Sequence, residues 1–163
     1  MSDPARTFDH FALGLRHLSH ERVDEAIAAL EAAVATCPAD ADAHAFLAAA
    51  LFADARADAA GAAIARALQL GRLDFWPNLK AGELRFRLGD AAEAEEHFLV
   101  ALRSVEPGTA EAKAAGELLV RARTSMAKSV EHRAVLPARL HRLLARSASP
   151  SSASTAEASA GGP

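Results

Sequence analysis

Tyrosine is absent from this 163-residue chain, and seven phenylalanines and one tryptophan supply all its aromatic rings. Strands draw on aromatic and β-branched side chains, so a β-sandwich or a parallel α/β sheet is poorly supplied. The single cysteine, Cys37, cannot close an internal disulfide. That excludes a disulfide scaffold and points to a reducing compartment, the cytoplasm. No apolar stretch reaches the roughly 18 residues that a membrane helix needs. The first ten residues, MSDPARTFDH, have neither a basic start nor an apolar core, so no secretory leader is expected. A net charge of −3 gives no general attraction to nucleic acid. Neither HExxH nor CxxC occurs, and there is no Gly-rich phosphate loop and no nucleophile elbow. The expectation is a non-catalytic protein with no cofactor and no metal.

What is abundant is alanine, 43 residues of it. Alanine is the best helix former and lets helices approach closely, so an all-α fold is expected. Charge is unevenly spread. Residues 1–120 carry 11 Lys/Arg against 19 Asp/Glu, whereas residues 121–163 carry 7 against 2. The last stretch, 148–163, is rich in Ser and Ala and cannot bury enough apolar surface to order itself, so it reads as a disordered tail.

Shifting the sequence by 34 residues aligns small and apolar positions without an insertion. Leu13, Leu47, Ala81 and Ala115 share a column, and Gly14, Ala48, Gly82 and Gly116 share the next. Ala26, Ala60 and Ala94 coincide, as do Leu30, Ile64 and Phe98, and then Ala33, Ala67 and Ala101. Each cluster has helical spacing, and a fixed period of this size marks stacked helical hairpins. Turn signals at His20-Glu21, Ala55-Arg56 and Gly89-Asp90 separate the helices, and Pro38, Gly71 and Pro107-Gly108 separate the units. Helices are expected at about 7–19, 22–36, 41–53, 57–70, 75–87, 91–104 and 109–130, with a shorter one at about 136–147.

These residues resemble the tetratricopeptide repeat family: Leu13-Gly14, Ala26, Leu30, Ala33 and Pro38 in the first unit, and Gly82, Gly89-Asp90, Ala94, Phe98 and Ala101 in the third. The resemblance implies a helical solenoid with repeats at 7–40, 41–74 and 75–108 and a cap helix at 109–130. Residues 1–6 are then an N-terminal extension, and 131–147 a basic amphipathic helix. Residues 80–101, KAGELRFRLGDAAEAEEHFLVA, are also similar to the third repeat of the translocator chaperones of bacterial type III secretion, through Ala81, Gly82, Glu83, Gly89, Asp90, Ala94 and Glu95. That likeness implies a chaperone that holds an extended apolar segment in its concave groove.

The first helix of each unit would line that groove. Candidate contacts are Phe8, Phe11, Leu15, Phe52, Trp76, Leu79, Lys80, Glu83, Phe86, Arg87 and Lys113. Large apolar side chains not needed for helix packing point to an exposed strip that binds a protein or peptide. In the opposing case Phe8 and Phe11 pack under an N-terminal segment, and Trp76 fills a junction between units. Two different roles also fit the sequence: a cytoplasmic scaffold forming homodimers or hetero-oligomers, and a membrane-proximal adaptor acting through Arg139, Arg142 and Arg146. A membrane is the less favoured partner. The Lys-and-Asn clamp of chaperone-tail-binding repeats is disfavoured, because Asn78 is the only asparagine. His10, His17, His20 and His44 fall in the first two units at packing or boundary positions, and His97 and His132 read as surface residues.

Overall fold

The computed structural model describes the backbone of residues 4–147 and the side chains of residues 10–131. The expected tail at 148–163 lies outside the described residues. Seven helices and no strand occur among those described: α1 Pro4–Ser19, α2 Val23–Thr36, α3 Ala41–Ala53, α4 Ala57–Leu70, α5 Phe75–Arg87, α6 Ala91–Arg103 and α7 Ala110–Ser147. The chain divides into two units, Met1–Met126 and Ala127–Pro163. In the first, α1 packs on α2, α3 on α4 and α5 on α6, and α3 also packs on α5. The second holds residues 127–147 of α7.

The 34-residue columns are the core of the first unit. Ala26, Ala60 and Ala94 are buried, as are Leu30, Ile64 and Phe98, and Ala33, Ala67 and Ala101. Small residues oppose large ones across each hairpin. A Cβ on Gly82 would stand 2.4 Å from the Phe98 ring, and one on Gly14 2.6 Å from Leu30 Cγ. Both are closer than real Cβ contacts come, so glycine is what lets the paired backbones approach. Around Gly116, in the same column on α7, there is open space.

The turns inside the hairpins are also repeated. Arg22 N donates to His17 O, Arg56 N to Leu51 O and Asp90 N to Arg85 O, each at 2.9 Å. These bonds close the helix end through a residue in the left-handed region. That residue is Glu21 (φ 58°), Ala55 (φ 59°) and Gly89 (φ 87°), again 34 apart. Only the third turn uses the residue for which this conformation carries no steric cost. Between units, the Asp40 carboxylate accepts from Asp42 N and Ala43 N and caps α3. The Thr109 hydroxyl accepts from Ala112 N at the start of α7.

Three features differ from the sequence reading. Helix α1 begins at Pro4, so residues 4–6 are helical rather than an extension. The segments expected as separate helices at 109–130 and 136–147 form one continuous helix, α7. Residues 131–135 contain no glycine or turn residue. Pro137 removes one backbone donor, which kinks a helix more readily than it ends one when the flanking residues favour helix. Finally, Leu13 is 39% exposed, whereas its equivalents Leu47 and Ala81 are buried. Those two belong to the core cluster with Leu30, Leu51 and Ile64.

Candidate functional site

Helices α1, α3 and α5 carry a continuous run of aromatic rings across three units. The Phe11 and Phe46 rings meet edge to face with centroids 5.6 Å apart. Phe46 meets Trp76 at 5.1 Å, and Trp76 meets Phe75 at 4.9 Å. These separations are those at which aromatic pairs attract beyond simple burial. Phe46 is the centre of the run, and the sequence pattern does not single it out. It shares its 34-residue column with Ala12 and Lys80, so no recurring aromatic marks it.

The aromatic faces are covered by cations. Lys80 Nζ stands 5.1 Å from the Phe46 ring centroid and 5.8 Å from that of Trp76. The Lys80 side chain is 16% exposed and pairs with Glu83 at 2.9 Å. The Arg87 guanidinium lies 5.8 Å from the Phe52 ring, and that of Arg121 lies 5.5 Å from the Phe86 ring. Such contacts hold a flexible cation against an apolar surface, with its charged end toward water. The surface is therefore not the bare apolar strip that the sequence suggests: Phe11, Phe52, Trp76 and Phe86 are half-buried. Phe52, Lys80, Glu83, Leu84 and Arg87 close around a hollow of only about 10 Å³, room for one water at most.

The remaining candidates separate. Leu15 is half-buried against the core shared by the first two units. Leu79 is 4% exposed and belongs to the core around Phe98, so it packs the array instead of lining its surface. Lys113 lines a different hollow, of about 510 Å³, with Leu102, Pro107 and Thr109. Phe8 lies on α1, and its side chain is outside the described residues. The segment with Arg139, Arg142 and Arg146 is helical, and its side chains are likewise outside them.

Two expected bystanders have definite partners. Asn78 is buried and donates to Arg72 O and Asp74 O, both at 2.9 Å. His97, expected on the surface, is half-buried, and its Nδ1 donates to Asn78 Oδ1 at 3.2 Å. Burial, with Arg85 nearby, pushes the His97 imidazole below its ordinary value, against the opposing pull of Glu93 and Glu96. Both residues line a hollow of about 610 Å³ between α4 and α6. At the start of α3, burial and then the carboxylates of Asp40 and Asp74 push Asp42 above the usual carboxylate range. Among the described residues no three His, Cys, Asp or Glu side chains converge as a metal site would require. None of the described helices is long and apolar enough to cross a membrane.

No family model matches this chain, and no curated relative does. Solved structures do. The first tetratricopeptide domain of Spaghetti (RPAP3), bound to the HSP90 peptide SRMEEVD, is 22% identical with a TM-score of 0.63, covering 77% of this chain and 96% of its own. The corresponding domain of Sgt2 from Aspergillus fumigatus is 18% identical with a TM-score of 0.65, covering 96% and 92%. The Yersinia enterocolitica type III secretion chaperone SycD, in complex with a peptide of the translocator YopD, is 16% identical with a TM-score of 0.58, covering 72% and 92%. With paired helices in a fixed 34-residue register and such neighbours over most of its length, this chain has the fold of a tetratricopeptide repeat domain.

Proposed function

We propose that this protein is a non-catalytic binding module of the cytoplasm that takes an extended protein segment along α1, α3 and α5. The observation that carries the reading is that Phe11, Phe52, Trp76 and Phe86 lie half-buried on the first helices of the three units, with Lys80 over Trp76, Arg87 over Phe52 and Arg121 over Phe86. A wall of this composition offers apolar burial to a partner's side chains and polar groups to set their register. Phe11, Leu15, Phe52, Trp76 and Phe86 supply the apolar contacts, and Lys80, Glu83 and Arg87 the polar ones. Two neighbours of the same fold are bound to peptides, which supports a peptide over a nucleic acid or a membrane as the partner. More specifically, the protein is a chaperone of the secretion type that shields an apolar segment of one client.

The test is affinity capture from the native host with the full chain and with Phe52→Glu, each checked by circular dichroism. One extended client is expected in near-equal amount with the unaltered chain and at least tenfold less with the variant. Undiminished recovery of that client by the variant refutes the reading.

The exposed Leu13 favours a second reading. Its column is buried elsewhere, which leaves the α1 edge open to a second copy or another partner. Sedimentation at increasing concentration tests it: Leu13→Glu is expected to abolish a dimer that Phe52→Glu leaves intact.

A further inference from the structure

Phe52 and Phe86 are 34 residues apart, and so are Arg87 and Arg121. Each phenylalanine is covered by the arginine 35 positions later, on the first helix of the next unit or on α7. The stacking is thus one device used twice, at successive junctions. A guanidinium held beside a ring keeps its forked N–H donors, which the ring does not take up. Both arginines are exposed, and among the described residues neither has a carboxylate within 4.0 Å, although another cation of the same face does: Glu83 is committed to Lys80 at 2.9 Å. Glu117, one helical turn before Arg121, is not among the ion pairs of the described residues. Two pre-positioned forks therefore lie without an acidic partner among the described residues, one repeat apart.

We infer that the paired Phe–Arg stacks read an acidic partner segment, each fork taking one carboxylate. The inference rests on the peptide-binding reading above and specifies the partner's chemistry. Neighbouring packed helices are about 8–10 Å apart, and an extended partner in the polyproline II form advances about 3.1 Å per residue and presents the same face every third residue. The two carboxylates should then be three residues apart, on a segment running across α3, α5 and α7 with apolar side chains between them. Forked donors favour such carboxylates through bidentate pairs. The asparagine clamp has no part in this, because Asn78 is buried and spends its amide donors on its own loop.

The experiment uses the full chain and short fluorescein-labelled peptides of leucine and alanine carrying two glutamates at i and i+3. An isomer has adjacent glutamates, and a third peptide has glutamines at i and i+3. Anisotropy at moderate salt is expected to give about tenfold tighter binding for the spaced acidic peptide than for its isomer. The Arg87→Gln, Arg121→Gln double variant should lose that preference and bind the spaced peptide only as well as the glutamine peptide. Arg87→Lys with Arg121→Lys guards against a folding artefact. It keeps the charge, and it should lose the spacing preference while keeping salt-sensitive binding. Equal affinity for the two isomers overturns the inference, as does a full preference in either double variant. If the glutamine peptide binds as tightly as the spaced acidic one and Phe52→Glu abolishes both, the groove stands and the forks are refuted. If no peptide binds, both readings fall.

Discussion

The first and third hairpins share a backbone and differ in nearly everything that faces outward. Both bring a glycine against a large side chain, Gly14 against Leu30 and Gly82 against Phe98. Both close their turn with the same 2.9 Å bond, from Arg22 to His17 and from Asp90 to Arg85. Yet the column that holds Arg87 holds Ser19 in the first unit, and the column of Lys80 holds Ala12. Positions that pair backbones are constrained by packing in every unit. Positions that face outward are free of that constraint, so what they carry, whether it changes between units or recurs as Arg87 and Arg121 do, is not set by the pairing of backbones.

The sharpest way to break this comparison is in the shared core. Phe98→Ala empties a fully buried site and is expected to cost about 4 kcal/mol in urea unfolding followed by circular dichroism. Leu30→Ala, its equivalent in the first hairpin, should cost less, because a smaller side chain leaves a smaller void. Next is Gly82→Ala. The new methyl lands 2.4 Å from the Phe98 ring. Overpacking of about 1–3 kcal/mol should outweigh the roughly 1 kcal/mol gained in helix propensity, and the melting temperature should fall.

The turns predict opposite signs at equivalent positions. Gly89→Ala places a Cβ at φ 87° and should destabilise by about 1 kcal/mol. Ala55→Gly relieves a left-handed alanine. After the extra entropy of an unfolded glycine it should stabilise by about 0.5 kcal/mol. Two effects of the same sign in thermal melts would show that the turns are not interchangeable.

The smallest effect is an acid sensitivity that originates in the third hairpin. The folded His97 imidazole titrates below its ordinary value of 6.5. The unfolded chain therefore binds the proton first as pH falls. Stability associated with His97 is full above about pH 6.5 and declines toward the lower folded value. Ala63 and Ala29 occupy the equivalent positions, so His97→Gln should flatten the stability curve between pH 7 and 5.

Much of the fold is legible in the sequence because packing acts on the helical period. A column of Ala26, Ala60 and Ala94 has one physical explanation, close contact, and all three are buried. Contacts that reach between units are less legible. Lys80 extends to Phe46 on a neighbouring helix, and a one-dimensional pattern records which face a residue occupies but not how far its side chain reaches. Leu79 packs inside rather than lining the groove for a related reason, since its column borders both. The stacked arginines leave a readable trace: Phe52 with Phe86, and Arg87 with Arg121, keep the interval of the glycines. The edge of the array is readable only in part: Leu13 and Leu47 share a column, yet Leu47 is buried and Leu13 is 39% exposed.

The rings of Phe11, Phe46 and Trp76 tie α1, α3 and α5 to one another. In a linear array, cooperativity depends on how strongly adjacent modules are coupled relative to what each contributes alone. This stack sets that coupling for all three hairpins at once. The hairpins should therefore melt together in a single transition, and a molecule gripping any one of them would steady the others.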